Sequence, residues 1–201
     1  MILAIDEPEA SMHTSLCFQQ FKRLSNLANT FNKQVLTTTH WYGFLPMCQR
    51  GSLHHIELNT QPDIRSFELS RVYEQRKSFP DDVELKSVFD LVSSILSLMK
   101  SNNSNWIICE GSDDAKYLEY MLENSIENLT ILPVGGIGNV IKIYRYLFGP
   151  MSERTEDKLL DGKVFCLIDS DRVQFSLDIP CDTNSKSLAI RRFQRDHDSV
   201  E

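Results

Sequence analysis

The chain has 201 residues, of which 41% are hydrophobic, and its formal net charge is −7 at pH 7. The hydrophobic fraction is sufficient for a folded core, which excludes a globally disordered chain. The negative charge excludes a polycation, so any contact with nucleic acid must use a local basic patch or metal ions.

The cysteines and the apolar runs indicate the compartment. Five cysteines are scattered without a CxxC pair, which favours free thiols in a reducing environment. No apolar run is long enough to span a membrane, and no basic segment precedes an apolar one near the N-terminus. We therefore expect a soluble, cytoplasmic protein without membrane contact.

Residues 1–72 form the first predicted segment. Short apolar and β-branched runs flank one stretch with helical spacing, and two alternating runs around Pro62 indicate a hairpin. The expected elements are a strand over 1–6, a helix over 14–31, a strand over 35–39, and hairpin strands over 53–58 and 64–72.

Residues 73–104 are predicted to connect two parts of the protein. Charged residues and Pro80 occupy 73–84, an amphipathic helix follows over 85–99, and a polar break lies at 101–105. The helix serves either self-association or ordinary packing between the two parts.

Residues 105–201 alternate strands with helices, which predicts a parallel sheet covered on both faces. The pattern fades beyond residue 172. The expected elements are a strand over 106–109, a helix over 113–123, a strand over 129–132, a helix over 137–148 and a strand over 164–168.

Asp6 and Glu7 follow the first predicted strand, and His40 follows the second. Ligands of parallel α/β sheets bind outside the carboxyl ends of the strands. There, one acid can hold Mg²⁺ near a nucleotide, the next can orient or deprotonate water, and a histidine can sense the γ-phosphate. The alternative is that Asp6-Glu7-Pro8 is a helix start, where acids are favourable.

The segments ILAIDEPEASMH and VLTTTHWYGFLP resemble the Walker B, D-loop and switch-histidine segments of ABC-type ATPases, and most closely the OLD (overcoming lysogenization defect) family. The resemblance implies that Asp6 is the magnesium-side aspartate, Glu7 the catalytic glutamate and His40 the switch histidine of an ATP site. The sequence has no GxxxxGK[ST] phosphate loop and no LSGGQ-like signature. We therefore expect ATP binding only with the missing ATPase part, supplied upstream or by a partner chain.

A second group of acids follows two later strands. Glu110 ends the run NWIIC, and Asp169-Ser170-Asp171 ends the run VFCLI. Alternate residues of an extended segment point the same way, so Asp169 and Asp171 can converge on one ion. Clustered carboxylates repel one another unless divalent cations neutralise them. Mg²⁺ or Mn²⁺ there can activate water and stabilise the leaving oxygen of a phosphodiester.

These residues resemble a Toprim domain over about residues 105–172. Glu110-Gly111 matches its glutamate-glycine motif, Asp169-Ser170-Asp171 its DxD motif, and Gly135-Gly136 its glycine pair. In the OLD family a further acid follows the glutamate by four positions, which is Asp114 here. The resemblance implies that four acids bind metal: Glu110, Asp114, Asp169 and Asp171. It also implies that all of these except Asp114 are catalytic.

Several features of the sequence have more than one interpretation. Asp113 is expected to be a helix N-terminal acid, and Asp114 has either that role or the metal role. The basic run Arg191-Arg192-Phe193-Gln194-Arg195 is either a solvated face or a contact to a phosphate backbone. The later glutamate and lysine of the family's nuclease site have no convincing match, since Lys186 and Glu201 stand in no motif.

The sequence thus predicts an α/β protein in three parts: a partial ABC-type ATPase sheet over 1–72, a connector over 73–104, and a Toprim Rossmann-like parallel sheet with flanking helices over 105–201, incomplete at its C-terminus. The resemblance implies a metal-dependent, ATP-linked DNA endonuclease of antiphage defence, working as a homo-oligomer or with a partner chain. The alternative is a non-catalytic interaction module of a larger assembly.

Overall fold

The computed structural model describes residues 2–48, 50–58, 62–75, 78–123, 125–152, 160–169 and 186–192. The chain divides into two units between Ser94 and Ile95. In the described part of the chain, no helix is long and apolar enough to cross a membrane.

The first unit begins with two parallel strands joined by a helix. β1 (Ile2–Ile5) pairs with β2 (Gln34–Thr37), and α1 (Thr14–Thr30) connects them. His13 precedes α1 and caps it, because its ring nitrogen accepts a hydrogen bond from the Ser15 amide. Phe18, Phe21 and Leu24 form the buried stripe of α1. The predicted strand–helix–strand order is correct.

The predicted hairpin is present, but its second strand begins at Pro62 rather than at residue 64 and ends at Glu68 rather than at residue 72. β3 (Ser52–Leu58) pairs antiparallel with β4 (Pro62–Glu68). Residues 69–72 were expected to extend β4; instead Leu69–Arg71 is a 3₁₀ helix and α2 (Val72–Gln75) follows. This turn of the chain buries Val72 against Phe67 and Phe79, which a straight strand could not do.

The predicted connector is partly helical. α3 (Asp81–Asn102) starts before residue 85 and continues into the expected polar break. Pro80 stands immediately before α3, where a proline is tolerated, and its carbonyl accepts hydrogen bonds from the Val83 and Glu84 amides. The apolar spacing of the sequence marks only the buried stripe of a helix, so it misses polar first and last turns.

In the second unit, the described strands form a four-stranded parallel sheet in the order β6-β5-β7-β8. This arrangement of parallel strands and flanking helices is Rossmann-like. The elements are β5 (Asn105–Cys109), α4 (Ser112–Leu122), β6 (Leu129–Pro133), α5 (Ile137–Ser152), β7 (Val164–Ile168) and β8 (Leu188–Arg192).

Two features of this sheet differ from the sequence prediction. α5 runs to Ser152 rather than 148, with Pro150 inside its last turn. β8 was not predicted at all, because only Leu188, Ala189 and Ile190 precede its two arginines and so short a run has no measurable period. Its pairing with β7, from Val164↔Leu188 to Ile168↔Arg192, makes it a strand.

The core of the second unit lies between the sheet and its helices. Trp106 and Ile108 of β5 and Tyr144 and Leu147 of α5 are almost completely buried. Each such side chain contributes about 1.5–3 kcal/mol when it leaves water. This packing holds the carboxyl ends of the strands, where the predicted acids follow, in fixed relative positions.

Candidate functional site

The structure brings Glu110 and Asp169 together at the carboxyl edge of the sheet in the second unit. Glu110 directly follows β5, Asp169 directly follows β7, and these strands are parallel neighbours in the register Ile108↔Cys166. Oε1 of Glu110 accepts a hydrogen bond from the Asp169 backbone amide at 2.8 Å. The two acids therefore lie at one edge, as parallel strand ends require.

Gly135 and Gly136, the predicted glycine pair, contact Glu110 at the same edge of the sheet. The carbonyl oxygen of Glu110 accepts hydrogen bonds from the amides of Gly135 at 2.7 Å and Gly136 at 3.0 Å. These glycines have φ values of 75° and 105°, a region that favours glycine. Nδ2 of Asn139 donates to the Val134 carbonyl at 2.5 Å and closes the turn onto α5. Main-chain contacts thus fix Glu110 between β6 and β7.

Asp113 and Asp114 both lie in the first turn of α4. Asp113 is exposed and forms an ion pair with Lys116 at 3.2 Å, as expected for a helix N-terminal acid. Oδ2 of Asp114 accepts a hydrogen bond from the Gly111 amide at 2.8 Å, which is a capping contact. The structure therefore gives Asp114 the helix-start contact that was one of its two interpretations.

The structure describes only some of the residues predicted to bind the metal ion. Asp171 lies outside the described residues. Among the residues that are described, no group of three or more His, Cys, Asp or Glu side chains is placed to hold a metal ion. Of the predicted ligands that the structure describes, Glu110 contacts the main chain of Asp169, and Asp114 caps α4 directly after Glu110.

Cys109, the last residue of β5, is buried directly beside this edge. Burial raises the pKa of the Cys109 thiol to about 12, and the negative charge of Asp114 adds to the effect. Its Sγ donates a weak hydrogen bond to the Gly111 carbonyl at 3.6 Å. The thiol is therefore neutral at ordinary pH and unsuited to act as a nucleophile.

In the first unit, the residues predicted for the ATP site also meet. Thr38, which directly follows β2, donates its hydroxyl hydrogen to Oδ1 of Asp6 and accepts from the Glu7 amide. Nε2 of His40 lies 3.2 Å from Oε1 of Glu7. The His40 side chain is 85% exposed, so this contact contributes little stability by itself. Asp6, Glu7 and His40 thus occupy one solvent-facing edge.

Glu7 has a backbone conformation that side chains rarely adopt. Its φ is 41°, in the left-handed region. Its amide is held by both the carbonyl and the hydroxyl of Thr38, each at 3.1 Å. Strain of this kind costs about 1–3 kcal/mol and is concentrated at functional positions. The strained turn directs Glu7 toward His40.

Glu9 is a residue of this edge that the sequence analysis missed. Its Oε1 accepts hydrogen bonds from the Thr39 hydroxyl at 2.7 Å and from the His40 amide at 2.6 Å. Its Oε2 is buried and has no hydrogen-bond partner among the described residues. The only sequence signal was a third acid directly after Pro8. Glu9 connects the segment after β1 to the segment that carries His40.

Asp90 of α3 anchors the same segment from the other side. Its Oδ2 accepts a hydrogen bond from the Tyr42 amide at 2.8 Å. Burial raises the pKa of the Asp90 carboxyl, while the Tyr42 amide opposes that shift. The segment around His40 is therefore held by two acids: Glu9, which precedes β2 in the sequence, and Asp90 of α3, which follows it.

Comparisons with known proteins give no family assignment. No protein-family model matches the chain, and no curated protein matches it.

Proposed function

We propose that the second unit is a metal-dependent DNA endonuclease of the Toprim type, within an OLD-family protein of antiphage defence. The observation that carries the proposal is the hydrogen bond from the Asp169 amide to Oε1 of Glu110. It joins two acids that are far apart in the chain at the edge where parallel α/β sheets bind ligands. The glycine pair that holds the Glu110 carbonyl supports the same proposal.

The donor set fits a hard divalent cation. Carboxylate oxygens are the ligands that Mg²⁺ prefers, and Mn²⁺ is suited by the same chemistry. Glu110, Asp169 and Asp171 would hold the ion, and Asp114 would join them through the oxygen that does not cap α4. When bound, such an ion polarises a phosphodiester and lowers the pKa of a bound water. The protein's own part is to hold these acids at one edge.

We also propose that Asp6, Glu7 and His40 belong to an ATP site whose phosphate loop comes from another segment or chain. Glu7 would orient water and His40 would sense the γ-phosphate. The 3.2 Å contact between their side chains supports this assignment, since both roles require groups within reach of one phosphate. ATP would then control DNA cleavage in the whole assembly.

The testing experiment is nicking of supercoiled plasmid in Mn²⁺ or Mg²⁺ by the wild type and the Asp169→Ala variant. Nicking that requires metal, ignores ATP and disappears in the variant supports the proposal. Asp113→Ala is the matched control, because it removes one exposed acid near the same edge and should keep activity. Equal nicking by wild type and Asp169→Ala would reject the proposal.

One observation favours the alternative, a non-catalytic module of a larger assembly. Ile2 and Leu36 of the β1–β2 pair are 64% and 53% exposed, although parallel strands are normally covered on both faces. A second copy or a partner chain would cover them. Thermal unfolding with Mn²⁺ separates the two functions: a formed metal site raises the melting temperature in the wild type but not in Asp169→Ala, and a pure module shows no rise.

A further inference from the structure

We propose that Arg192 binds a phosphate of the DNA backbone at the same edge of the sheet as Glu110 and Asp169. This inference rests on the proposed function and adds a residue to that site. The sequence alone left Arg192 as either a solvated residue or a phosphate contact. The pairing of β8 is the observation that favours the phosphate contact.

The register of the sheet determines where Arg192 lies. Arg192 is the last residue of β8 and pairs with Ile168, the residue immediately before Asp169. Because β8 is parallel to β7, its last residue lies at the carboxyl edge rather than the amino edge. Continuing the register Ile108↔Cys166 to the end of β5 places Glu110 opposite Ile168. Glu110 and Arg192 therefore flank Ile168 in one row.

Residues of one row project from the same face of a parallel sheet, since side chains alternate along each strand. Glu110 and Arg192 thus share a face, and two strand spacings separate them, which is about 10 Å. An arginine side chain extends over more than half of such a gap. One extended polynucleotide strand that crosses this edge beside Glu110 would also pass the guanidinium group of Arg192.

Arg191 does not share this position. It pairs with Leu167, which packs with Cys109 and Ala115 on the face toward α4. Its Nη1 donates a hydrogen bond to the Ile190 carbonyl at 2.8 Å. The basic pair is therefore divided by the strand alternation, and only Arg192 faces the row of Glu110.

Charge supports a ligand for Arg192. The guanidinium group is always charged and presents a planar set of donors that matches phosphate oxygens. A protein of net charge −7 repels DNA overall, so each local cation at the edge matters for binding.

The test measures binding of fluorescent DNA duplexes and single strands by anisotropy, in EDTA, over a range of salt concentrations. Arg192→Ala should weaken binding and reduce the slope of log affinity against log salt by about 0.9 for duplex and 0.7 for single strands, which is one phosphate contact. Arg192→Lys should keep most of the slope, because it keeps the charge.

Lys163→Ala is the matched control. Lys163 directly precedes β7, so it lies at the amino edge of the same sheet, and its loss changes the net charge equally. Its main-chain hydrogen bonds to Asn105 and Trp106 do not involve the side chain. Circular dichroism and urea unfolding should show that all three variants are folded before binding is compared.

The outcomes separate this inference from the proposed function, because binding in EDTA requires no cleavage. The phosphate contact is supported if the slope of log affinity against log salt is smaller for Arg192→Ala than for Lys163→Ala. This holds even if the wild type never nicks plasmid. Equal slopes for wild type, Arg192→Ala and Lys163→Ala overturn it, even if nicking persists. A wild type that binds no DNA at low salt also overturns it.

Discussion

The carboxylate of Glu110 accepts a hydrogen bond from the backbone amide of Asp169 at 2.8 Å. A side chain at the end of β5 thereby holds the main chain at the end of β7. Glu110 thus has a positioning contact in addition to the metal role proposed for its charge. Substitutions that keep the acceptor but remove the charge distinguish these two contributions.

We predict that Glu110→Gln and Glu110→Ala differ in stability but not in nicking activity. Glutamine keeps an oxygen acceptor for the Asp169 amide, so unfolding should change little. Alanine removes the acceptor and should cost about 0.5–1.5 kcal/mol. Both remove the charge, so both should abolish metal-dependent nicking. Urea unfolding and the plasmid assay give the two readouts, and full nicking by Glu110→Gln would contradict the metal role.

We predict opposite effects of the same substitution at two neighbouring glycines. Gly136 has φ of 105° and open space at its Cβ position, so Gly136→Ala should destabilise by about 1–3 kcal/mol through backbone strain alone. Gly138 lies in the first turn of α5, also with open space. Gly138→Ala should stabilise by about 0.4–1 kcal/mol. Urea unfolding of the two variants tests this, and equal signs would contradict it.

We predict that Glu9 fixes the position of His40. Glu9→Ala removes the acceptor of the Thr39 hydroxyl and the His40 amide and should cost about 1.5–3 kcal/mol, because hydrogen bonds to a charged group are strong. Glu9→Gln keeps one acceptor oxygen and should cost less.

Fluorescence of Trp41 in a Trp106→Phe background follows unfolding of the first unit, since each unit contains one of the two tryptophans. NMR of the His40 ring should show that its contact with Glu7 persists in Glu9→Gln and is lost in Glu9→Ala. An unchanged His40 signal in Glu9→Ala would contradict the positioning role.

We predict that the buried thiol of Cys166 makes stability fall at alkaline pH. Burial raises its pKa from 9.0 to about 12, so the folded state keeps a proton that the unfolded state releases. The contribution is fully present below pH 9 and decreases as pH rises from 9 toward 12, by up to about 1.4 kcal/mol per pH unit.

The measurement is the difference in unfolding free energy between wild type and Cys166→Ala at pH 7, 8, 9, 10 and 10.5. Loss of packing in the variant gives an offset that does not depend on pH. The difference should be constant up to pH 9 and then decrease. A constant difference through pH 10.5 would show that Cys166 ionises as readily in the folded protein as in the unfolded one.

Local sequence patterns predicted most strands and helices correctly. The apolar runs of β1, β5 and β7 and the acids directly after them are readable because both depend only on neighbouring residues. The predicted ends of α3 were wrong because polar helix turns leave no local apolar signal. The bend after Glu68 was not predicted because it depends on the packing of Val72 on Phe67, which also leaves no local apolar signal.

The sequence by itself determined which acids stand at the ends of strands. Only the tertiary structure decided that Glu110 contacts the main chain of Asp169 and that Arg192 ends the strand next to β7 in the second unit. In the first unit, only the tertiary structure decided that Glu9 holds His40. These relations depend on which strands pair and in which order. That choice is made by burial and hydrogen bonding between residues far apart in the chain, for which no short window of sequence contains a signal.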